Sequence, residues 1–223
     1  MLPDSQITAG LAPYGVTADD RLCRQIQDYI SLLLLWNQKI SLTTVVRPKQ
    51  IIQFHFGESL FAVESVPIED GRLADVGSGA GFPGIPIAMV VPKLKITLLE
   101  ANQKRAAFLS EVIRRLDLRN ATVLRARMSD VAEGLESFDF ITARAVGAHR
   151  ELVRWSDRFL APSGKLILWV GEDDATWIRR EDRWDWRNPV RIPGSRNRVL
   201  LVGSHKIRPS VPRGTLSNPD CFT

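Results

Sequence analysis

Cysteine is scarce in this 223-residue chain, with Cys23 and Cys221 lying near opposite ends. Two thiols so spaced make no disulfide framework, and the expected state is a pair of reduced cysteines in a cytoplasmic protein. No group of Cys and His has metal-ligand spacing, so no metal site is expected. Long apolar runs are also missing. No stretch reaches the roughly 18 residues a membrane helix needs, and Leu32 to Trp36 is a short apolar segment inside a helical pattern. The N-terminus has no basic lead followed by an apolar core, so no secretory signal is expected. Internal repeats are absent too. What is present is ordinary for a soluble globular protein, 44% hydrophobic and 25% charged. At this length, one core domain with a smaller attached element is expected. Charge leans one way, to +5, with a pI near 9.6. That balance suits an anionic partner, nucleic acid first, held through its phosphates.

Patterning divides the chain near Gly71. Residues 1–70 read as a helical extension: Thr17 with Asp20 resembles a capping box, and Ile26, Tyr29, Ile30 and Leu33 recur at helical spacing. A second helix is expected from Lys49 to Val63, after Pro48. From Arg72 strands alternate with helices. Leu73–Val76, Lys95–Leu99, Ala121–Arg125, Phe138–Ala143 and Lys165–Val170 read as strands, with helices over Ile85–Val91 and Gln103–Leu116. Such alternation predicts an α/β fold with a parallel sheet and every strand-to-helix loop on one edge. The segment Trp177 to Arg198 is rich in Trp and Arg, and Val199 to Val202 can add a last strand. The α/β domain is therefore set at 71–204. Residues 205–223, with Pro209, Pro212 and Pro219, read as a flexible tail.

The first strand runs into Asp75-Val76-Gly77-Ser78-Gly79-Ala80-Gly81. Gly79 to Gly84 also satisfies the dinucleotide pattern G-x-G-x-x-G, so the glycines alone leave a nicotinamide oxidoreductase open. Asp75 argues for another ligand. A carboxylate there is awkward beside a pyrophosphate but suits an ammonium group, as in the methionine end of S-adenosylmethionine. It can at the same time be a buried acid that holds loop N–H groups. Glu100, ending the second strand, can accept from both ribose hydroxyls. Met128, Ser129 and Asp130 are placed to flank an adenine.

The run Leu73 to Ala88, with its Phe82-Pro83-Gly84-Ile85-Pro86 turn, resembles the bacterial small-subunit ribosomal RNA guanine-N7 methyltransferases, the glucose-inhibited division protein B family. Leu98-Leu99-Glu100 with Lys104-Arg105 and Phe108-Leu109, then Arg127, then Thr142-Ala143-Arg144-Ala145 agree in order. Upstream, His55 with Glu58-Ser59-Leu60 resembles the family's His-x-x-Asp-Ser-Leu segment. The resemblance implies a class I S-adenosylmethionine-dependent methyltransferase (Rossmann-like) sheet with helices on both faces. It implies methylation of a guanine N7 in small-subunit (16S) ribosomal RNA. The protein is read as a cytoplasmic monomer that needs no metal or membrane. Carried over by position, Gly77, Phe82, Met128, Ser129 and Arg144 contact the cofactor, and Lys104, Arg127 and Arg144 are the functional basic residues. The chain departs from the family at Met128-Ser129, where an acidic pair is usual, at Val170-Gly171, where Lys-Gly is usual, and at Ser41, where an Asn-Leu-Thr segment begins. Other methyl acceptors on the same fold, and a non-catalytic RNA-binding protein, are the remaining alternatives.

Residue chemistry agrees with an N7 acceptor. Guanine N7 carries an exposed lone pair, so its methylation needs positioning rather than a strong base. Cytosine-C5 methylation needs a nucleophilic Cys, yet both cysteines fall outside the sheet region. The Asn/Asp-Pro-Pro-aromatic loop of amino-group methylases is replaced by Thr142-Ala143-Arg144-Ala145. Arg144 offers forked donors to phosphate or guanine O6, and Arg127, Lys104 and Arg105 are expected to collect at the same edge. His55 is open to a loop-orienting, RNA-touching or structural role. Trp177, Trp184 and Trp186, interleaved with Arg179, Arg180, Arg183 and Arg187, are either an RNA-stacking surface or, the favoured reading, a core-packing stripe.

Overall fold

A computed structural model describes residues 2–131, 137–144 and 147–206. Helices α1 (Asp4–Leu11), α2 (Asp20–Asn37), α3 (Pro48–Ile51) and α4 (Glu58–Ser65) precede the first strand. The cap of α2 is Asp19, whose carboxylate accepts from the Leu22 amide at 2.7 Å, and not the Thr17–Asp20 pair that the sequence suggested. Between α3 and α4 the chain takes a π turn over Ile52–Gly57, a wider coil than the single helix expected there.

The rest alternates: β1 (Gly71–Val76), α5 (Gly84–Val90), β2 (Leu94–Leu99), α6 (Gln103–Arg115), β3 (Ala121–Leu124), β4 (Phe138–Arg144), α7 (His149–Phe159), β5 (Leu160–Gly171) and α8 (Glu172–Ile178). Three antiparallel strands follow, β6 (Trp184–Trp186), β7 (Val190–Arg191) and β8 (Arg198–His205). The sheet order is β3-β2-β1-β4-β5-β8-β6, with β7 beside β8. β1 to β5 are parallel, as the βαβ pattern requires, and β8 runs against β5. His205, assigned to the tail, instead closes β8, where it pairs with Trp184. The remainder of that tail, residues 207–223, lies outside the described residues, and with it Cys221; Ala145 does so too.

Side-chain alternation along the strands gives each sheet face its own core. Leu73, Ile96, Leu98, Phe140, Ile167 and Trp169 pack with α1, α2, α4, α5 and α6. Ala74, Val76, Leu99, Ile141, Ala143 and Leu168 pack with α7 and α8. The period of two is the physical reason both faces are apolar in buried strands. The predicted face of α2 is buried: Ile26, Tyr29, Ile30 and Leu33 are all at most 3% exposed. Cys23 is buried on the same helix as a free thiol.

Candidate functional site

Parallel strands deliver their loops to one edge, and the glycine bend after β1 is folded tightly onto that edge. The Gly77 and Ser78 amides donate to the Leu99 carbonyl at 2.8 and 3.1 Å. The Gly79 amide donates to Glu100 Oε2 at 2.9 Å, while Asn102 N–H donates to Oε1 at 2.7 Å. Gly79 holds a left-handed φ of 57°, and a Cβ there would meet only the Gly77 carbonyl, at 3.7 Å. The bend is therefore open towards solvent at that point, with room for a ligand's atoms. Gly81 differs. At φ 87°, its Cβ would lie 2.3 Å from the Tyr29 hydroxyl and 2.8 Å from Ile85 Cγ1. Tyr29, from α2, donates through that hydroxyl to the Ala80 carbonyl and so ties the helical extension to the bend.

Asp75 sits behind this wall. It is 1% exposed, receives the Thr142 hydroxyl at 2.9 Å and the Gly84 amide at 3.2 Å, and lines no cavity in the bend. Burial pushes its pKa up to about 6, against the hydrogen bonds from Thr142, Ser78 and Gly84. Of the two roles open to it, holding the turn is the one its contacts display.

Two cavities meet at the bend. One, of about 340 Å³, runs from Gly77 past Leu99 and Glu100 to Arg127 and Met128. The other, of about 210 Å³, lies over Gly77, Gly79 and Phe82 and is walled by Thr43, His55 and Arg144. Gly77 and Arg105 line both. The structure thus gathers Gly77, Gly79, Phe82, Glu100, Arg127, Met128 and Arg144 around two adjoining cavities. Ser129 stands outside them, exposed, with its hydroxyl donated to Asp130 at 2.8 Å. Lys104 faces a separate groove. Its helix turn is capped by Asn102, whose Oδ1 accepts from the Lys104 and Arg105 amides.

Residues from the helical extension complete the site. His55 stacks on Phe82 with centroids 4.6 Å apart and shares a 2.8 Å hydrogen bond through Nε2 with Thr43. Burial, then the Arg144 charge, lowers its pKa to about 4, so the ring is neutral at pH 7. That favours the orienting role for His55. Arg144 ends β4 and donates to the Phe54 carbonyl at 2.6 Å, which the π turn leaves free for it. Its guanidinium also pairs with Glu58 at 2.9 Å, and Arg198 pairs with the other Glu58 oxygen at 2.5 Å. Burial raises the pKa of Glu58, while these two arginines lower it. Sequence reasoning matched Glu58 only to a motif position and missed Tyr29, Thr43 and Arg198 as partners of the site. A hydroxyl at the buried face of α2 was a faint signal for Tyr29; for Arg198 there was none.

The Trp/Arg segment resolves towards packing. Trp184 is 2% exposed and stacks on Trp186 at 5.4 Å, and Trp177 lies under Arg150.

Comparison with known proteins adds independent findings. Residues 22–186 match the family model described as GidB: rRNA small subunit methyltransferase G. A ribosomal RNA small subunit methyltransferase G from Roseiflexus castenholzii is 36% identical over 204 residues, covering 85% of this chain and 86% of the relative. Another from Chloroflexus aggregans is 33% identical, covering 90% and 88%. Among solved structures, a SAM dependent methyltransferase from Aquifex aeolicus superposes with a TM-score of 0.59 at 17% identity, covering 70% of this chain and 93% of that one. A precorrin-6y C5,15-methyltransferase from Geobacter metallireducens gives 0.58 at 17% identity, covering 77% and 96%. At such identities the structural matches show the fold alone.

Proposed function

The chain belongs to the family described as GidB, rRNA small subunit methyltransferase G, and from that premise we propose that it transfers the methyl group of S-adenosylmethionine to N7 of a guanine in small-subunit (16S) ribosomal RNA. The observation carrying this reading at residue level is the pair of cavities that adjoin at Gly77 and differ chemically. The nicotinamide reading of the glycines is not retained, because the matched family is one of methyltransferases.

The residues present suit the cofactor. Glu100 uses one lone pair on each oxygen for a backbone amide and keeps others free for ribose hydroxyls. Met128 offers a soft apolar contact to adenine. Gly79 leaves space where any side chain would intrude, and Phe82 and Arg144 wall the second cavity. Asp75 acts through the bend it holds. When bound, S-adenosylmethionine supplies an electrophilic methyl group on a sulfonium.

Guanine N7 presents a lone pair and loses no proton on methylation, so the chain need provide no base. That matches a half-buried His55, whose lowered pKa of about 4 leaves it a weak base, and an Asp75 sealed behind the bend. The work left to the protein is placement and exclusion of water. Arg144, fixed by Glu58 and the Phe54 carbonyl, is held ready to donate to the nucleotide's O6 or phosphate. Arg105 and Arg127 are exposed cations at the same rim and are assigned to phosphates. We assign the protein to the cytoplasm as a monomer; no helix among the described residues is long and apolar enough to cross a membrane.

The test is transfer of labelled methyl from S-adenosylmethionine to unmodified small-subunit RNA, beside free nucleosides and protein as acceptors. Label should enter the RNA alone and be recovered as 7-methylguanosine. Label confined to small molecules or protein overturns the RNA assignment.

A further inference from the structure

A groove larger than either cavity of the cofactor space lies apart from it. It encloses about 650 Å³ between the end of α2 and the start of α6. Its floor is Leu35, Trp36, Ile40 and Ala107; Lys39, Lys104 and Gln103 stand at its borders. No carboxylate lines it, and neither lysine has an ion-pair partner among the described residues. Leu35 is 56% exposed, an apolar side chain left uncovered where the other apolar side chains of its helix are buried or partly buried. Trp36 is half-buried and packs edge-on against Phe108, centroids 5.7 Å apart at 60°, which orients its ring at the groove. Lys104 also sits in the first turn of α6, where the helix dipole opposes a cation. An anionic occupant would relieve that opposition.

The groove adjoins the site through two connections. Arg105, next to Lys104, lines both cavities of the cofactor space. Asn37, at the end of α2, accepts from the Leu42 and Thr43 amides and donates to the Thr43 carbonyl. That pinned loop puts Ile40 in the groove and Leu42 with Thr43 over the glycine bend.

We propose that this groove seats an unpaired nucleotide of the substrate RNA flanking the target guanine, its base against Trp36 and Leu35 and its phosphates on Lys39 and Lys104. The proposal rests on the RNA-methylation reading. An oriented aromatic with cations around it and no acid is the chemistry of single-stranded nucleic acid recognition, where stacking tolerates any base and phosphates supply affinity. It also gives Lys104 a function at a distance from the cofactor, where the structure puts it.

The experiment measures KM for small-subunit RNA and affinity for S-adenosylhomocysteine in the wild type and in Leu35→Glu, Trp36→Leu, Trp36→Phe and Lys39→Gln. Leu35 and Lys39 are exposed, so those variants fold even if Trp36→Leu does not. Leu35→Glu and Trp36→Leu should raise the RNA KM roughly tenfold or more, with Trp36→Phe restoring most of it. Lys39→Gln should lower the salt dependence of RNA binding by about one phosphate contact. Affinity for S-adenosylhomocysteine should stay that of the wild type. An unchanged RNA KM in Leu35→Glu and Lys39→Gln overturns the proposal, as does a dimer split by Leu35→Glu with the RNA KM unmoved. A wild type that methylates no RNA defeats the functional reading instead, and so separates the two failures.

Discussion

The helices before β1 and the strands after β5 are both additions to one parallel sheet, yet they meet it at different places. The helices cross to the edge where the parallel strands end: Tyr29 holds the Ala80 carbonyl, His55 stacks on Phe82, and Glu58 takes Arg144. The last strands extend the sheet sideways. β8 pairs with β5 and shelters its edge, and Trp184 and Trp186 pack where β6 joins β8. Only Arg198, where β8 meets Gly171, reaches into the site's charge cluster. Tryptophan beside arginine thus serves structure at 177–186, whereas a single Trp36 beside lysines borders the site. Position relative to the strand ends, and not composition, separates the two.

Substitutions can break or sharpen this contrast. The largest effect is expected for Gly81→Ala, which places a Cβ against the Tyr29 hydroxyl in a left-handed backbone. It should cost about 3 kcal/mol or more in denaturant unfolding and remove S-adenosylhomocysteine binding. A wild-type midpoint would show that the bend and α2 are not coupled. Glu58→Ala strands two arginines, one of them well buried, and should cost about 3 kcal/mol. Methyl transfer should fall further than cofactor affinity, because Arg144 loses its brace.

A smaller effect follows from Asp75. Its folded pKa, about 6, lies above its ordinary 3.8, so the native state binds the extra proton in between. Stability should therefore fall as pH rises from about 4 to about 6, by up to roughly 2–3 kcal/mol, and stay low above that window. Asp75→Asn should flatten this slope in urea midpoints taken across the range; an identical slope would assign the titration elsewhere. The smallest effect is expected from Arg183→Ala, which removes a mostly exposed pair with Asp157. Less than about 1 kcal/mol should be lost, with the RNA KM unchanged. A raised KM would put the Trp/Arg segment back on the RNA path.

Local signals carried much of this into the sequence itself. The β1 apolar run, the glycine bend and the acid ending β2 are contiguous patterns, and their spacing alone locates Gly77, Gly79 and Glu100 on one edge. The face of α2 was legible for the same reason, through its 3.6-residue period. What stayed hidden is either short or distant in sequence. β6 and β7 span three and two residues, too few for a period of two to register. Glu58 and Arg198 are 140 positions apart, and His55 meets Phe82 from within a π turn. Asp75 was placed correctly along the chain, yet only the fold reveals that it points behind the bend. The groove at Trp36 needs two helices side by side before it exists at all.

On the proposed function, the glycine bend is built to receive S-adenosylmethionine. Titration calorimetry of the purified chain with S-adenosylhomocysteine, beside NADH and beside Gly79→Val, tests it most directly. Saturable binding of the homocysteine product at one site, none of NADH, and loss of binding in a folded Gly79→Val variant is the predicted result. A folded wild type that takes up NADH but not S-adenosylhomocysteine would contradict it.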